Sequence, residues 1–204
     1  VCEFSASLGY DRLLTDEQLK LRQLQKQKQQ EINKKGSTSS PCTSAARTRL
    51  QRDLDSLEVP PTTQLQILRA PTDQSRDPPL LRLIVSPDEG FYRKGHFTFE
   101  MTFTEKYPIE PPQVRCMNQI FHPNIDLQGK ICLNILREDW SPALDLQSVI
   151  IGILFLFLEV SGRDPLNKQA ASLLDEDPNK FSRLVQQTMA GYSLDGQHYD
   201  NVLN

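Results

Sequence analysis

The 204-residue sequence has few of the residues that build metal and disulfide sites. It contains three histidines and four cysteines, and no two cysteines stand in C-x-x-C spacing. A zinc site is therefore not expected. The N-terminus also lacks a cationic segment followed by an apolar stretch, which is the pattern of a secretory signal. We expect a reducing intracellular compartment with free thiols.

Long apolar runs are missing as well. The longest, Val149 to Leu158, has ten residues, whereas a membrane-spanning helix needs about 20. This run predicts a buried core helix, and no interaction with a membrane is expected.

The net charge is small, but the charged residues are unevenly distributed. The net charge of −3 excludes a nucleic-acid binder that works by overall charge. Residues 19–49 hold eight Lys or Arg against the single acid Glu31, whereas residues 50–204 hold fourteen basic and twenty-one acidic residues. A basic arm therefore precedes an acidic body, and the arm favours an acidic partner.

The composition changes near residue 40. Residues 19–35 have high helix propensity but only four apolar residues, so this stretch is expected to be disordered or transiently helical when free. Residues 36–40 form a Gly- and Ser-rich linker. We predict a flexible arm over residues 1–40, in which residues 1–18 carry no recognisable signal, and a globular domain over residues 41–204.

Periodicity in the globular part predicts an α+β fold. Ser40 as N-cap and Pro41 at the first helical position begin a helix that ends before Pro60. The segments predicted after it are strands over 64–69, 80–85, 97–103 and 113–116, and helices over 146–158, 168–175 and 178–190. Turn residues between the strands favour a four-stranded antiparallel meander backed by the helices. The stretch from Tyr107 to Pro142 has little periodicity, and an irregular segment of that length is usually functional.

The chemically informative part of that stretch is His122-Pro-Asn124, followed ten residues after the histidine by Cys132. Taken alone, Cys132 is more often a small buried hydrophobic residue than a nucleophile. His122 is likewise more often a structural histidine than a base, and Asn124 is more often a turn residue. From the residue types alone, we infer only a candidate thiol in an irregular loop, with an imidazole and an amide near it in the sequence.

Five motifs in register resemble the ubiquitin-conjugating enzyme family, from Ser44 to Met189. They are Tyr107-Pro108 with Pro111-Pro112, Phe121-His-Pro-Asn124, Ile131-Cys-Leu133, Trp140-Ser-Pro142 and Asp164-Pro-Leu166. Within the family, the segment from Cys132 to Trp140 and the arm from Leu19 resemble the neddylation branch, which places a ubiquitin-like modifier on cullins. The resemblance implies the ubiquitin-conjugating fold and a location in the cytoplasm and the nucleus.

The resemblance also implies a thioester mechanism. Cys132 would accept the modifier from a heterodimeric activating enzyme and present it to a lysine on the cullin. Asn124 would supply an N–H to the developing oxyanion or brace the loop, Asp164 would orient and desolvate the lysine amine, and His122 would fix the loop by hydrogen bonding. Asp164 is otherwise a turn residue before a proline. A thioester is already activated, and ATP is consumed by the activating enzyme, so neither cofactor nor metal is expected.

Two loops would bind a RING-type ligase by the same resemblance. One contains Pro108 and Ile109, and the other contains Pro142 and Ala143. Arg137 would contact the tail of the modifier or the ligase, and is otherwise a solvated loop charge.

In the arm, Leu19, Leu21 and Leu24 would dock on the activating enzyme and on a co-ligase that promotes cullin modification. The alternative functions are a conjugating enzyme for ubiquitin itself and a non-catalytic family member that only binds the modifier.

Overall fold

The structure is a computed structural model that describes residues 44–71 and 76–203. These residues fall within one unit, Ser39–Asn204. Its elements in chain order are α1 (Ala45–Asp55), β1 (Thr63–Arg69), β2 (Leu80–Val85), β3 (Phe97–Thr102), β4 (Gln113–Cys116), a 3₁₀ helix (Asn134–Leu136), α2 (Leu146–Leu158), α3 (Lys168–Glu176) and α4 (Pro178–Met189). The predicted boundary at residue 40 and the docking residues Leu19, Leu21 and Leu24 lie outside the described residues.

The four strands form one sheet in the order β1-β2-β3-β4, and every neighbouring pair is antiparallel. The predicted α+β meander is thus confirmed. In β2 and β3 each second side chain is buried, and the register pairs Leu83 with Phe99 and Val85 with Phe97. One apolar face of the sheet therefore meets the helices, as the period of two in the sequence indicates.

The predicted bounds of the first helix are wrong at both ends. The N-cap is Ser44, whose hydroxyl accepts a hydrogen bond from the N–H of Arg47 at 3.4 Å, and not Ser40. The helix ends at Asp55 because Ser56 adopts a non-helical conformation and its hydroxyl bonds back to the carbonyl of Arg52 at 3.0 Å. A serine side chain of this kind competes with the helical hydrogen-bond pattern, so the helix does not reach Pro60.

The core is built around α2 and its aromatic neighbours. The ring of Phe157 stacks on Phe97 with centroids 4.4 Å apart, and Tyr92 and Phe99 meet it edge to face at 5.4 and 5.9 Å. All four side chains are almost fully buried, and such aromatic pairs add to the free energy of burial. The apolar run beginning at Val149 is thus confirmed as a core helix. No helix within the described ranges is long and apolar enough to cross a membrane.

A tight turn around Gly129 connects the sheet to the segment that carries Cys132. The carbonyl of Gly129 accepts a hydrogen bond from the N–H of Cys116 at 2.8 Å, and its N–H donates to the carbonyl of Asp126 at 3.0 Å. Gly129 has a φ of 78°, and a Cβ added there would lie 2.0 Å from the carbonyl oxygen of Cys116. Only glycine fits this turn, both for its conformation and for the close approach of β4.

Replacing Gly129 by Ala should therefore destabilise the protein more than replacing Gly196. Gly196 has a similar φ of 81° and no atom within 4 Å of an added Cβ, so Gly196→Ala measures the conformational cost alone. We expect Gly129→Ala to lose an additional ~1–3 kcal/mol of unfolding free energy from overpacking against β4. Urea denaturation of both variants measures this difference. Equal losses would contradict the close contact at Gly129.

Candidate active site

His122 holds the irregular loop from inside the core. Its side chain is fully buried, and it stacks on Tyr92 with ring centroids 4.9 Å apart. Its Nδ1 accepts a hydrogen bond from the N–H of Asn124 at 2.9 Å, so its Nε2 carries the proton and donates to the carbonyl of Leu156 at 2.8 Å. Burial lowers the pKa of His122 to about 4, against the opposing effect of the Leu156 hydrogen bond. The ring is neutral at physiological pH and occupied on both nitrogens, which suits a structural role and not that of a base.

Asn124 connects three parts of the site. Besides its N–H bond to His122, its carbonyl accepts a hydrogen bond from the N–H of Cys132 at 2.8 Å. Its side-chain Nδ2 donates to the carbonyl of Arg163 at 3.0 Å. The side chain thus braces the loop, and because an amide nitrogen carries two N–H groups, this bond uses one of them. The braced position is one of the two alternatives that the sequence left open for Asn124.

The loop that contains Asp164 is fastened to the same segment. The N–H groups of Leu166 and Asn167 both donate to the carbonyl of Pro123 at 2.9 Å. Together with the Asn124–Arg163 bond, these contacts hold the loop on both sides of Asp164. Asp164 itself is exposed and has a φ of 45°, so its carboxylate is in contact with solvent. The structure brings the loops of Asp164 and Cys132 together through Asn124 and its neighbour.

The residue Cys132 is 8% exposed, and its thiol contacts a cation. The Nη1 of Arg137 donates a hydrogen bond to its Sγ at 3.1 Å. This contact could not be deduced from the sequence, in which Arg137 stands among other charged loop residues. The 3₁₀ helix lies between Cys132 and Arg137 in the chain, and its Ile135 packs against α2. A Cβ added at Gly152 would lie only 2.5 Å from Cδ1 of Ile135, so this glycine provides the space for the loop.

The second cysteine of the described part has a different environment. Cys116 is buried at the end of β4, and its thiol donates to the carbonyl of Asn118 at 3.4 Å. Burial raises the pKa of Cys116 to about 12, so this thiol stays protonated. A protonated thiol is a poor nucleophile, which leaves Cys132 as the reactive candidate of the two.

The two loops expected to bind a ligase lie next to each other. The indole Nε1 of Trp140 donates to the carbonyl of Pro108 at 2.9 Å, which joins the first loop to the segment before the second. Ile109 is 77% exposed, so the first loop presents an apolar side chain to solvent. Pro142 is exposed and Ala143 is half-buried.

An ion pair in α1 positions both loops. Arg49 donates from Nη1 to the carbonyl of Pro142 at 2.7 Å, from Nη2 to that of Leu144 at 2.6 Å, and from Nε to Asp53 at 2.8 Å. The other oxygen of Asp53 accepts from the hydroxyl of Tyr107. Burial and the negative charge of Asp53 raise the pKa of Tyr107 well above its usual range. Sequence reasoning missed this pair, although its i, i+4 spacing on a helix was a signal for it.

No group of three or more His, Cys, Asp or Glu side chains in the described ranges is placed to hold a metal ion. The side chains of the site place a thiol beside a guanidinium, with an amide and a carboxylate on adjoining loops.

Comparison with known proteins identifies this arrangement. Residues 49–189 match the family model described as "Ubiquitin-conjugating enzyme". The chain belongs to the ubiquitin-conjugating enzyme family. The matched residues contain the whole of the site, from Arg49 in α1 to Asp164.

Individual relatives share most of their length with this chain. It is 57% identical over 187 residues to the "NEDD8-conjugating enzyme UBC12" of Saccharomyces cerevisiae, covering 91% of this chain and 99% of that protein. It is 45% identical over 180 residues to the "Nedd8-conjugating enzyme UbcE2M" of Drosophila melanogaster, covering 87% and 95%. The solved structure of "S. cerevisiae Ubc12" superposes with a TM-score of 0.79 at 56% identity, covering 91% of this chain and 99% of that one. The resemblance to the neddylation branch is confirmed.

The buried His122 should make the stability depend on pH. Its folded pKa of about 4 lies below the unfolded value of about 6.5, so the neutral form is favoured in the folded state. The stabilisation is fully present above pH 6.5 and is lost as the pH falls toward 4. We expect this group to remove about 2 kcal/mol of unfolding free energy between pH 7 and pH 5.

Urea denaturation of the wild type and of His122→Gln at the two pH values measures this effect. The exposed His96 and His198 are present in both proteins, so the comparison isolates His122. An equal pH dependence in both would show that the ring is not held neutral in the folded state.

Proposed function

We propose that this chain is the conjugating enzyme of neddylation. It accepts NEDD8 from the activating enzyme as a thioester on Cys132 and transfers it to lysine on cullins. The observation that carries the assignment is the position of Cys132, whose N–H is held by the carbonyl of Asn124 and whose Sγ meets the guanidinium of Arg137. The names of the relatives support NEDD8 as the modifier.

The proposed reaction has two steps. In the first, the Cys132 thiolate attacks the carbonyl carbon of the thioester on the activating enzyme, the new C–S bond forms, and the thiolate of that enzyme leaves. In the second, a neutral lysine amine attacks the same carbon, the amide N–C bond forms, the C–S bond to Cys132 breaks, and the amine loses its proton to solvent. A thioester is activated enough that neither step needs a strong base. A neutral His122 with both nitrogens occupied is compatible with this chemistry.

Asn124 and Asp164 would act in the second step. The free N–H of the Asn124 amide is available for the oxyanion that develops on the carbonyl oxygen. Asp164 is exposed on a loop tied to Asn124, which places a carboxylate where an amine can approach from solvent. We assign to it the orientation and desolvation of the lysine amine.

The loops at Pro108-Ile109 and Pro142-Ala143 are the proposed surface for a RING-type ligase that brings the cullin. The exposed Ile109 is an apolar anchor for such a partner. Because Arg49 ties the second loop to α1, and Trp140 ties the segment before it to the first loop, the surface is pre-formed. A pre-formed surface loses little conformational entropy on binding.

The arm is the proposed docking element for the heterodimeric activating enzyme and for a co-ligase. Leu19, Leu21 and Leu24 stand among Lys20 and other basic residues. Such a segment suits coupled folding and binding, in which apolar anchors fill pockets and cations steer the encounter. We further propose that the enzyme works in the cytoplasm and nucleus and uses no cofactor of its own, since ATP is consumed by the activating enzyme.

A charging assay with purified activating enzymes tests the proposal. With NEDD8 and its activating enzyme, the wild type should form an adduct that thiol reductants cleave. Cys132→Ser should form a reductant-resistant oxyester, because an alkoxide is a poorer leaving group than a thiolate, and Cys132→Ala should form none. Cys116→Ala is the matched control and should charge normally. Deleting residues 1–36 should weaken charging through the apparent affinity for the activating enzyme.

Each alternative function has its own result in this assay. Efficient charging with ubiquitin and not with NEDD8 would identify a ubiquitin-conjugating enzyme. A wild type that charges with neither would be a non-catalytic binding protein. A reducible adduct on Cys132→Ala would show that another cysteine is the nucleophile.

A further inference from the structure

Arg137 is placed on the sulfur of Cys132 by the backbone of the loop between them. Its N–H donates to the carbonyl of Asn134 at 2.9 Å, and its own carbonyl accepts from the N–H of Trp140 at 3.2 Å. The indole of Trp140 is in turn bonded to the carbonyl of Pro108. The chain is therefore fixed on both sides of Arg137, and the distance of 3.1 Å from Nη1 to Sγ results from a loop held by several hydrogen bonds.

The strength of this contact changes during the reaction, because the charge on the sulfur changes. A guanidinium donates hydrogen bonds and cannot accept them, so it interacts more strongly with a thiolate than with a neutral thiol or a thioester sulfur. Cys132 attacks as a thiolate when it accepts the modifier, and its sulfur becomes a thiolate again when its C–S bond to the modifier breaks. In that second event the electron pair of the C–S bond goes to Sγ, where Arg137 can stabilise the developing charge.

We propose that Arg137 is a further catalytic residue, which stabilises the Cys132 thiolate as nucleophile and as leaving group. This inference rests on the proposed function of Cys132. It assigns to Arg137 a role at the reacting sulfur, different from the contact with the modifier's tail or the ligase that the sequence suggests. An interaction that is stronger in the transition state than with the intact thioester accelerates the transfer.

Glu138 places a negative charge beside the guanidinium of Arg137. Its carboxylate lies 3.8 Å from Nε of Arg137, and both side chains are more than half exposed, at 66% and 52%. The acid faces Nε while Nη1 stays on the sulfur, so its negative charge offsets part of the positive charge next to the thiol, and only weakly because the pair is exposed. Removing its charge should therefore leave the positive charge at Cys132 equal or stronger.

Two measurements that involve no ligase test the role of Arg137. The first is the rate at which iodoacetamide alkylates Cys132 in the free full-length enzyme at pH 7.5, followed on the Cys132 peptide by mass spectrometry. The second is the single-turnover discharge of the NEDD8 thioester onto free lysine. We expect Arg137→Gln to slow both by about three- to tenfold, because a charge-assisted hydrogen bond at a half-exposed site has a modest free energy.

Three further variants separate charge from structure. Arg137→Lys should recover a large part of both rates, because it keeps the positive charge. Glu138→Gln should leave them equal to the wild type or faster. Arg183→Gln removes an exposed arginine from α4, outside the site, and should change neither rate. Thermal denaturation of each variant checks that the fold is kept.

Normal alkylation and normal ligase-free discharge in Arg137→Gln would overturn the proposal, and a defect that appears only with ligase present would assign Arg137 to partner binding. If Arg137→Gln does not fold, the other two variants still test the proposal. A folded Arg137→Lys with both rates fully lost would overturn it, and so would a Glu138→Gln that is slower than the wild type. A failure of the underlying function is distinguishable, since wild-type enzyme would then form no thioester on Cys132.

Discussion

The site depends on one buried ring that replaces backbone hydrogen bonds inside the core. The irregular loop leaves the sheet after β4, and its polar backbone groups need partners within an apolar interior. His122 supplies one of them, because its Nδ1 accepts from the N–H of Asn124, and it ties the loop to the core because its Nε2 donates to the carbonyl of Leu156 in α2. From there, hydrogen bonds lead to Cys132 and to the loop of Asp164. The backbone of Cys132 is thus linked to α2 through Asn124 and a neutral imidazole.

A second anchor serves the surface, and it lies on α1. The Arg49–Asp53 pair extends from α1 to Tyr107 on one loop and to Pro142 on the other. The proposed chemistry belongs to the part of the loop that is bonded to α2 through His122, whereas the proposed ligase surface belongs to the part that is bonded to α1 through Arg49 and Asp53. Trp140 joins the two parts through its bond to Pro108. A partner bound at the surface would therefore act on a site that is already assembled.

Most of the fold could be predicted from the sequence because its elements bury one face each. The period of two in Phe97 to Met101 and the apolar run of α2 have clear spacing, and the predicted segments agree with the structure within a residue or two. The prediction of the first helix was wrong at its ends, because several serines precede the helix and each could have been its N-cap. Side-chain hydrogen bonds of Ser44 and Ser56 determine where the helix begins and ends. The positive φ at Gly129 is invisible in a sequence, where a glycine is compatible with many turns.

The site was only partly predictable, for a physical reason. Motif register indicated Cys132, Asn124 and His122, and their backbone proximity follows from the short loop. The contact of Arg137 with the thiol depends on the 3₁₀ turn and on the space at Gly152, neither of which has a periodic signature. The roles proposed for Asp164 and for the arm residues Leu19, Leu21 and Leu24 stay predictions.

The hydrogen-bonded position of Asn124 is tested most directly by single-turnover discharge of the NEDD8 thioester from Asn124→Ala onto free lysine. The backbone bonds to His122 and Cys132 are kept in this variant, so charging by the activating enzyme should be close to normal. Loss of the proposed oxyanion contact and of the bond to the carbonyl of Arg163 should slow discharge by about 10²-fold or more. Failed charging combined with normal discharge of a pre-formed thioester would contradict the account and make Asn124 a residue for binding the activating enzyme.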